Sequence, residues 1–182
     1  MAEERAGRSF WQARGMSESK ERKLMEVLGG IREILARAKA LEDAQRESVE
    51  LVRREVAGYD WVGYYMLDAR DENFLDLGAY SGAATEHTRI PVSEGICGAA
   101  VATGETLVID DVRADPRYLA CSLETQSEIV VPIRVRGKIV GEIDIDSHAR
   151  AAFGGADRNF VEEWARLVGE WMSARRRGNS QS

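Results

Sequence analysis

Ser127-Glu128-Ile129-Val130-Val131-Pro132-Ile133 and Gly141-Glu142-Ile143-Asp144-Ile145-Asp146 decide the fold. Both stretches are rich in β-branched residues. Arg136-Gly137 between them reads as a tight turn, so residues 127–147 form a β-hairpin. Side chains alternate across a strand, which points Ile143 and Ile145 one way and Glu142, Asp144 and Asp146 the other. On an exposed sheet that row of acids is simply the wet face. Asp is disfavoured in strands, however, and two Asp at i and i+2 repel each other. A pocket that holds a cation or shares a proton is the other reading, and the hairpin alone leaves both open.

Upstream of the hairpin, residues 113–125 contain Asp115-Pro116 and no apolar period. They read as a long surface loop, of a length often tied to function, and Cys121 lies in it. Leu107-Val108-Ile109 is a short strand. Residues 93–102 look like a loop entering a short helix, capped by Ser93 or Gly95 and ended by Gly104. Cys97 falls in its first turn, where the positive end of the helix dipole favours a thiolate. Asp60 to Asp68 and Phe74 to Ser81 read as a second hairpin, with Trp61, Gly63 and Tyr65 on one face. Leu24, Leu28, Ile31, Leu35, Ala38 and Leu41 make a helical stripe that serves either as core or as a homodimer seam. A second helix runs from about Ala44 to Ala57, with Gly58 as its stop. A last helix runs from Asp157 to about Met172, with Phe160, Trp164, Leu167, Val168 and Trp171 facing inward. Residues 1–17 read as a flexible tail, 18–173 as one domain and 174–182 as a polar C-terminal tail. Hairpins with helices packed on them make an α+β fold around an antiparallel sheet.

The chain has 182 residues and a net charge of −6, which argues against nucleic acid as a partner. No apolar run approaches the roughly 20 residues of a membrane span, and the N-terminus lacks the apolar core of a signal peptide. The expected location is therefore cytoplasmic. Two cysteines in a reducing compartment are expected as free, redox-active or buried thiols. With only two histidines, His87 and His148, no Cys/His set has zinc-site spacing, and no metal is expected.

Several motifs occur together and in order. They are Asp60-Trp61-Val62-Gly63-Tyr64-Tyr65, Thr88-Arg89-Ile90-Pro91, Glu94-Gly95-Ile96-Cys97-Gly98, Ala102-Thr103-Gly104-Glu105-Thr106, Ala120-Cys121, the Ser127 to Pro132 stretch, Gly141 to Ser147, and Phe153 to Asp157. Over about residues 45–172 the chain resembles the free methionine-(R)-sulfoxide reductase family of GAF domains. The resemblance implies a GAF fold, a six-stranded antiparallel sheet flanked by helices, with a ligand pocket under the loops of one face. It implies reduction of free methionine sulfoxide, R at sulfur, with electrons from thioredoxin and no bound cofactor. Cys121 matches the catalytic cysteine and Cys97 a recycling cysteine. Glu128, Asp144 and Asp146 match the pocket carboxylates, and Trp61 and Tyr65 the aromatic wall. His87, expected as an exposed loop residue, stands ten residues before Cys97, where that family usually carries a third, resolving cysteine.

The residue types suit the reaction. Sulfoxide reduction needs a thiolate to attack sulfur and a proton for the oxygen, and it leaves a sulfenic acid to be cleared. Asp144 and Asp146 can hold the substrate ammonium, a protonated Glu128 can donate to the sulfoxide oxygen, and Trp61 and Tyr65 can pack on the S-methyl group. Each piece also has a plainer reading, as buried thiol, solvated strand acid or aromatic core. The other function class is a GAF module that binds a small molecule or dimerises without catalysis.

Overall fold

The computed structural model describes residues 2–119 and 124–178, with side chains described over 18–119 and 124–175. Cys121 lies outside the described residues. Helices α1 (Ala2–Arg37) and α2 (Leu41–Glu55) come first, followed by strands β1 (Trp61–Leu67), β2 (Phe74–Ser81) and β3 (Arg89–Pro91). Helix α3 (Gly95–Thr103), strand β4 (Leu107–Ile109), a 3-10 turn (Val112–Ala114), strands β5 (Ser127–Val135) and β6 (Lys138–Ser147) and helix α4 (Gly155–Gly178) complete the chain. The six strands form one sheet in the order β3-β2-β1-β6-β5-β4, and every pairing is antiparallel.

The β5–β6 hairpin turns through Arg136 and Gly137, both at positive φ (53° and 80°), directly after the Val135–Lys138 pair. Two central residues at positive φ give a turn whose twist matches that of the strands. Strand pairing then fixes two faces. Val62, Ile145 and Ile129 align across β1, β6 and β5, as do Tyr64, Ile143 and Val131. This face is buried under α1, α2 and α4 by Ile31, Leu35, Val49, Val52, Phe160 and Trp164. The Tyr64 hydroxyl reaches Ser48 Oγ at 3.0 Å, and the Tyr64 ring meets Trp164 edge-on at 5.5 Å. The stripe of α1 is thus core: Leu24, Leu28, Ile31, Leu35 and Ala38 are all buried within the chain.

Residues 2–17, expected as a tail, continue α1 back to Ala2, and α4 likewise runs to Gly178. Ala, Glu, Arg and Gln dominate these ends, and such residues favour helix without an apolar stripe. The second helix starts three residues earlier than expected, at Leu41, and ends at Glu55. The cap of α3 is Glu94 rather than Ser93 or Gly95, with no side-chain hydrogen bond, while Gly104 closes it in the left-handed conformation as expected. Among the described residues, no helix is long and apolar enough to cross a membrane.

Candidate active site

The other face of the sheet carries the chemistry, and the register assembles it. Trp61, Asp146 and Glu128 lie side by side across β1, β6 and β5. Gly63, Asp144 and Val130 form the next row, and Tyr65, Glu142 and Pro132 the third. Helix α3 covers these rows, burying Ile96, Cys97, Ala100 and Val101 against Tyr65 and Val130. Trp61, Tyr65, Glu128, Asp144 and Asp146, singled out from the sequence, therefore share one face of the sheet, with Cys97 packed onto it from α3.

The aromatic wall is a stack. The Trp61 indole stacks with Tyr65 (6.2 Å, 26°) and with Tyr80 (5.5 Å, 17°). Its Nε1 donates to the Ala83 carbonyl at 3.1 Å. A Cβ on Gly63 would sit 2.1 Å from the indole and one on Gly82 2.4 Å, so those glycines make room for the ring. The Tyr65 hydroxyl donates to the His87 carbonyl at 2.8 Å. That contact draws the 82–88 loop over the wall and leaves His87 half-buried, not exposed as expected.

The acids are not a solvated face. Glu128 is 5% exposed, Glu142 0%, Asp144 2% and Asp146 5%. Burial disfavours their charged forms, and neighbouring carboxylates add to the effect. Glu128 is held well above its ordinary range by burial first and then by Asp144 and Asp146. Asp144 is raised by burial and by Glu142, and Asp146 by burial and by Asp144. Burial pushes Glu142 up to about 8, against a smaller opposite pull from the Cys97 thiol. The Cys97 thiol, in the first turn of α3, donates to Asp144 Oδ2 at 3.6 Å and lies 3.9 Å from Glu128 Oε1. Such a site holds protons or a cation beside a thiol.

A cavity of about 250 Å³ opens onto Trp61 and Asp146, with Asp60, Glu124, Thr125 and His148 at its rim. The His148 amide donates to Asp60 Oδ2 at 2.7 Å. Sequence reasoning did not place Tyr80, Asp60, His148 or Glu142 in the site. For Glu142 the signal was present, since it shares the parity of Asp144 and Asp146 on β6. Tyr80 reaches Trp61 only through the β1–β2 register, where it pairs with Gly63.

A six-stranded antiparallel sheet, helix-covered on one face and with an acidic, aromatic pocket on the other, defines a GAF domain. Residues 40–170 match the GAF domain family, and the chain belongs to it. Its relatives within that family include free methionine-R-sulfoxide reductases. It is 41% identical over 110 residues to the free methionine-R-sulfoxide reductase of Saccharomyces cerevisiae, a match covering 60% of this chain and 61% of that protein. It is 42% identical over 109 residues to Protein YtsP of Bacillus subtilis, covering 60% of this chain and 66% of that one. Both matches thus span less than two thirds of the relative's length. The structure of free methionine-R-sulfoxide reductase from Neisseria meningitidis in complex with its substrate superimposes with a TM-score of 0.80 at 34% identity. That likeness covers 85% of this chain and 91% of that one.

Proposed function

We propose that this pocket reduces free L-methionine-(R)-sulfoxide to methionine. The observation that carries the reading is the register: it sets an aromatic stack beside a buried row of carboxylates, with a thiol 3.6 Å from one of them. That is a site for a small molecule with an apolar, polarisable end and a cationic end. Its likeness to a reductase structure that holds its substrate supports the same substrate here.

In this reading Trp61 and Tyr65 pack against the S-methyl group, and Asp144 and Asp146 bind the ammonium. Cys121, assigned by its match to the catalytic position, attacks the sulfoxide sulfur as a thiolate, and Glu128 supplies a proton to the oxygen. The substrate sulfur gains two electrons as its S–O bond breaks. Cys121 loses them and keeps the oxygen as a sulfenic acid. The Cys97 thiol then condenses with it, forming an S–S bond and releasing water, and a dithiol such as thioredoxin reduces the disulfide in the cytoplasm. No bound cofactor takes part.

Conversion of free methionine-(R)-sulfoxide in the presence of dithiothreitol tests the assignment. Cys121→Ser is expected to form no methionine. Near-normal turnover by that variant would move the nucleophile to Cys97.

A further inference from the structure

We infer that the Cys97 thiolate, one Glu128 oxygen and one Asp144 oxygen form a binding site for a thiophilic divalent cation, Zn²⁺ in the first instance. These three ligand atoms all lie within 4.8 Å of one another, and all three residues are buried. The two sulfur–oxygen separations fit a tetrahedral ion. A Zn–S bond of about 2.3 Å and a Zn–O bond of about 2.0 Å at the tetrahedral angle place sulfur and oxygen about 3.5 Å apart. The observed distances are 3.6 Å to Asp144 Oδ2 and 3.9 Å to Glu128 Oε1. The ligands come from three packed elements, α3, β6 and β5, which hold all three atoms on one side of the sheet. The fourth position falls to water.

A second observation points to a cation. Asp144 Oδ1 is buried without a hydrogen-bond partner among the described residues. A buried carboxylate oxygen left unpaired is costly, and a dication beside it offsets that cost. Thiolate ligation distinguishes this ion from an ammonium group, which gains nothing comparable from sulfur. Binding releases the thiol proton to solvent. It also ties up the sulfur that the proposed reductase needs for recycling, so bound zinc holds the enzyme off. Spacing in the sequence gives no hint of such a site: positions 97, 128 and 144 follow no zinc-site pattern, and only the fold brings them together.

The site itself stands whether or not the reductase reading does. Its test uses the full chain, reduced with a phosphine, desalted and titrated with Co²⁺ as an optical stand-in for Zn²⁺. The expected result is a thiolate-to-cobalt charge-transfer band that saturates at one equivalent and is bleached by Zn²⁺. Cys121→Ser keeps the band and Cys97→Ser loses it. Asp144→Asn weakens cobalt binding by at least about tenfold, which decides the matter if Cys97→Ser does not fold by circular dichroism. No band in the reduced wild-type chain, a band surviving in Cys97→Ser, or unchanged affinity in Asp144→Asn overturns the assignment. Methionine sulfoxide turnover by the metal-free chain reports on the reductase reading separately.

Discussion

Asp144 and Asp146 share the pocket face of β6, while Ile143 and Ile145 hold the strand to the core from the other side. Asp144→Asn and Asp146→Asn should therefore lower kcat/KM without unfolding the protein. Loss of a charge-assisted contact costs about 1.5–3 kcal/mol, roughly ten- to a hundred-fold in kcat/KM. Wild-type kinetics in either variant would make that residue a bystander. Glu142 gives a pH signature. A carboxyl group whose pKa is higher folded than unfolded carries more protons in the folded state between the two values, so stability falls as pH rises through that window. For Glu142 the window runs from 4.5 to about 8. In metal-free protein, Tm should drop across it. Glu142→Gln should shrink the drop and melt higher than wild type at the alkaline end, as read by calorimetry across the pH series. A Tm difference that is the same at every pH would remove Glu142 as the cause.

At the level of the element, β1 makes the site by what it leaves out. Gly63 lies under the Trp61 indole, where a Cβ would come within 2.1 Å of a ring carbon. Gly63→Ala should push the indole off its stack with Tyr65 and Tyr80, costing about 1–3 kcal/mol as overpacking does and raising KM more than it lowers kcat. Unchanged stability and KM would mean that the wall tolerates a displaced ring. The two-residue period of β1 and β6 was legible in the sequence, and so was the hairpin turn. What joined Trp61 to Asp146 and Glu128 was not, because β1 pairs with β6 across some eighty residues of intervening chain and period alone does not say which strands are neighbours. The approach of Cys97 to Glu128 and Asp144 was hidden too, because nothing in the sequence says which strands α3 covers. Residues 2–17 escaped because their helix shows no stripe, only strong helix formers. The α1 stripe was visible as apolar, but only the packing of α1 against α4 and the sheet settled that it is core.

For the whole molecule, the central issue is whether its two cysteines can support the proposed cycle. His87 stands ten residues before Cys97, and its backbone carbonyl anchors Tyr65. Only Cys97 remains within the chain to meet a sulfenic acid on Cys121. A disulfide needs its two Cα atoms within about 7 Å. Peptide mapping after one equivalent of sulfoxide should find a Cys97–Cys121 disulfide. Cys97→Ser should complete a first turnover and then slow with thioredoxin. A persistent sulfenic acid on Cys121 beside an unreacted Cys97 would replace the internal route with direct reduction by an external thiol. The most direct test of the account is NADPH consumption by the full chain with thioredoxin, thioredoxin reductase and free methionine sulfoxide. The account predicts steady consumption with the R epimer and none with the S epimer. Saturable binding of the sulfoxide with no NADPH consumed and no methionine formed would contradict it and leave a GAF module that binds without catalysis.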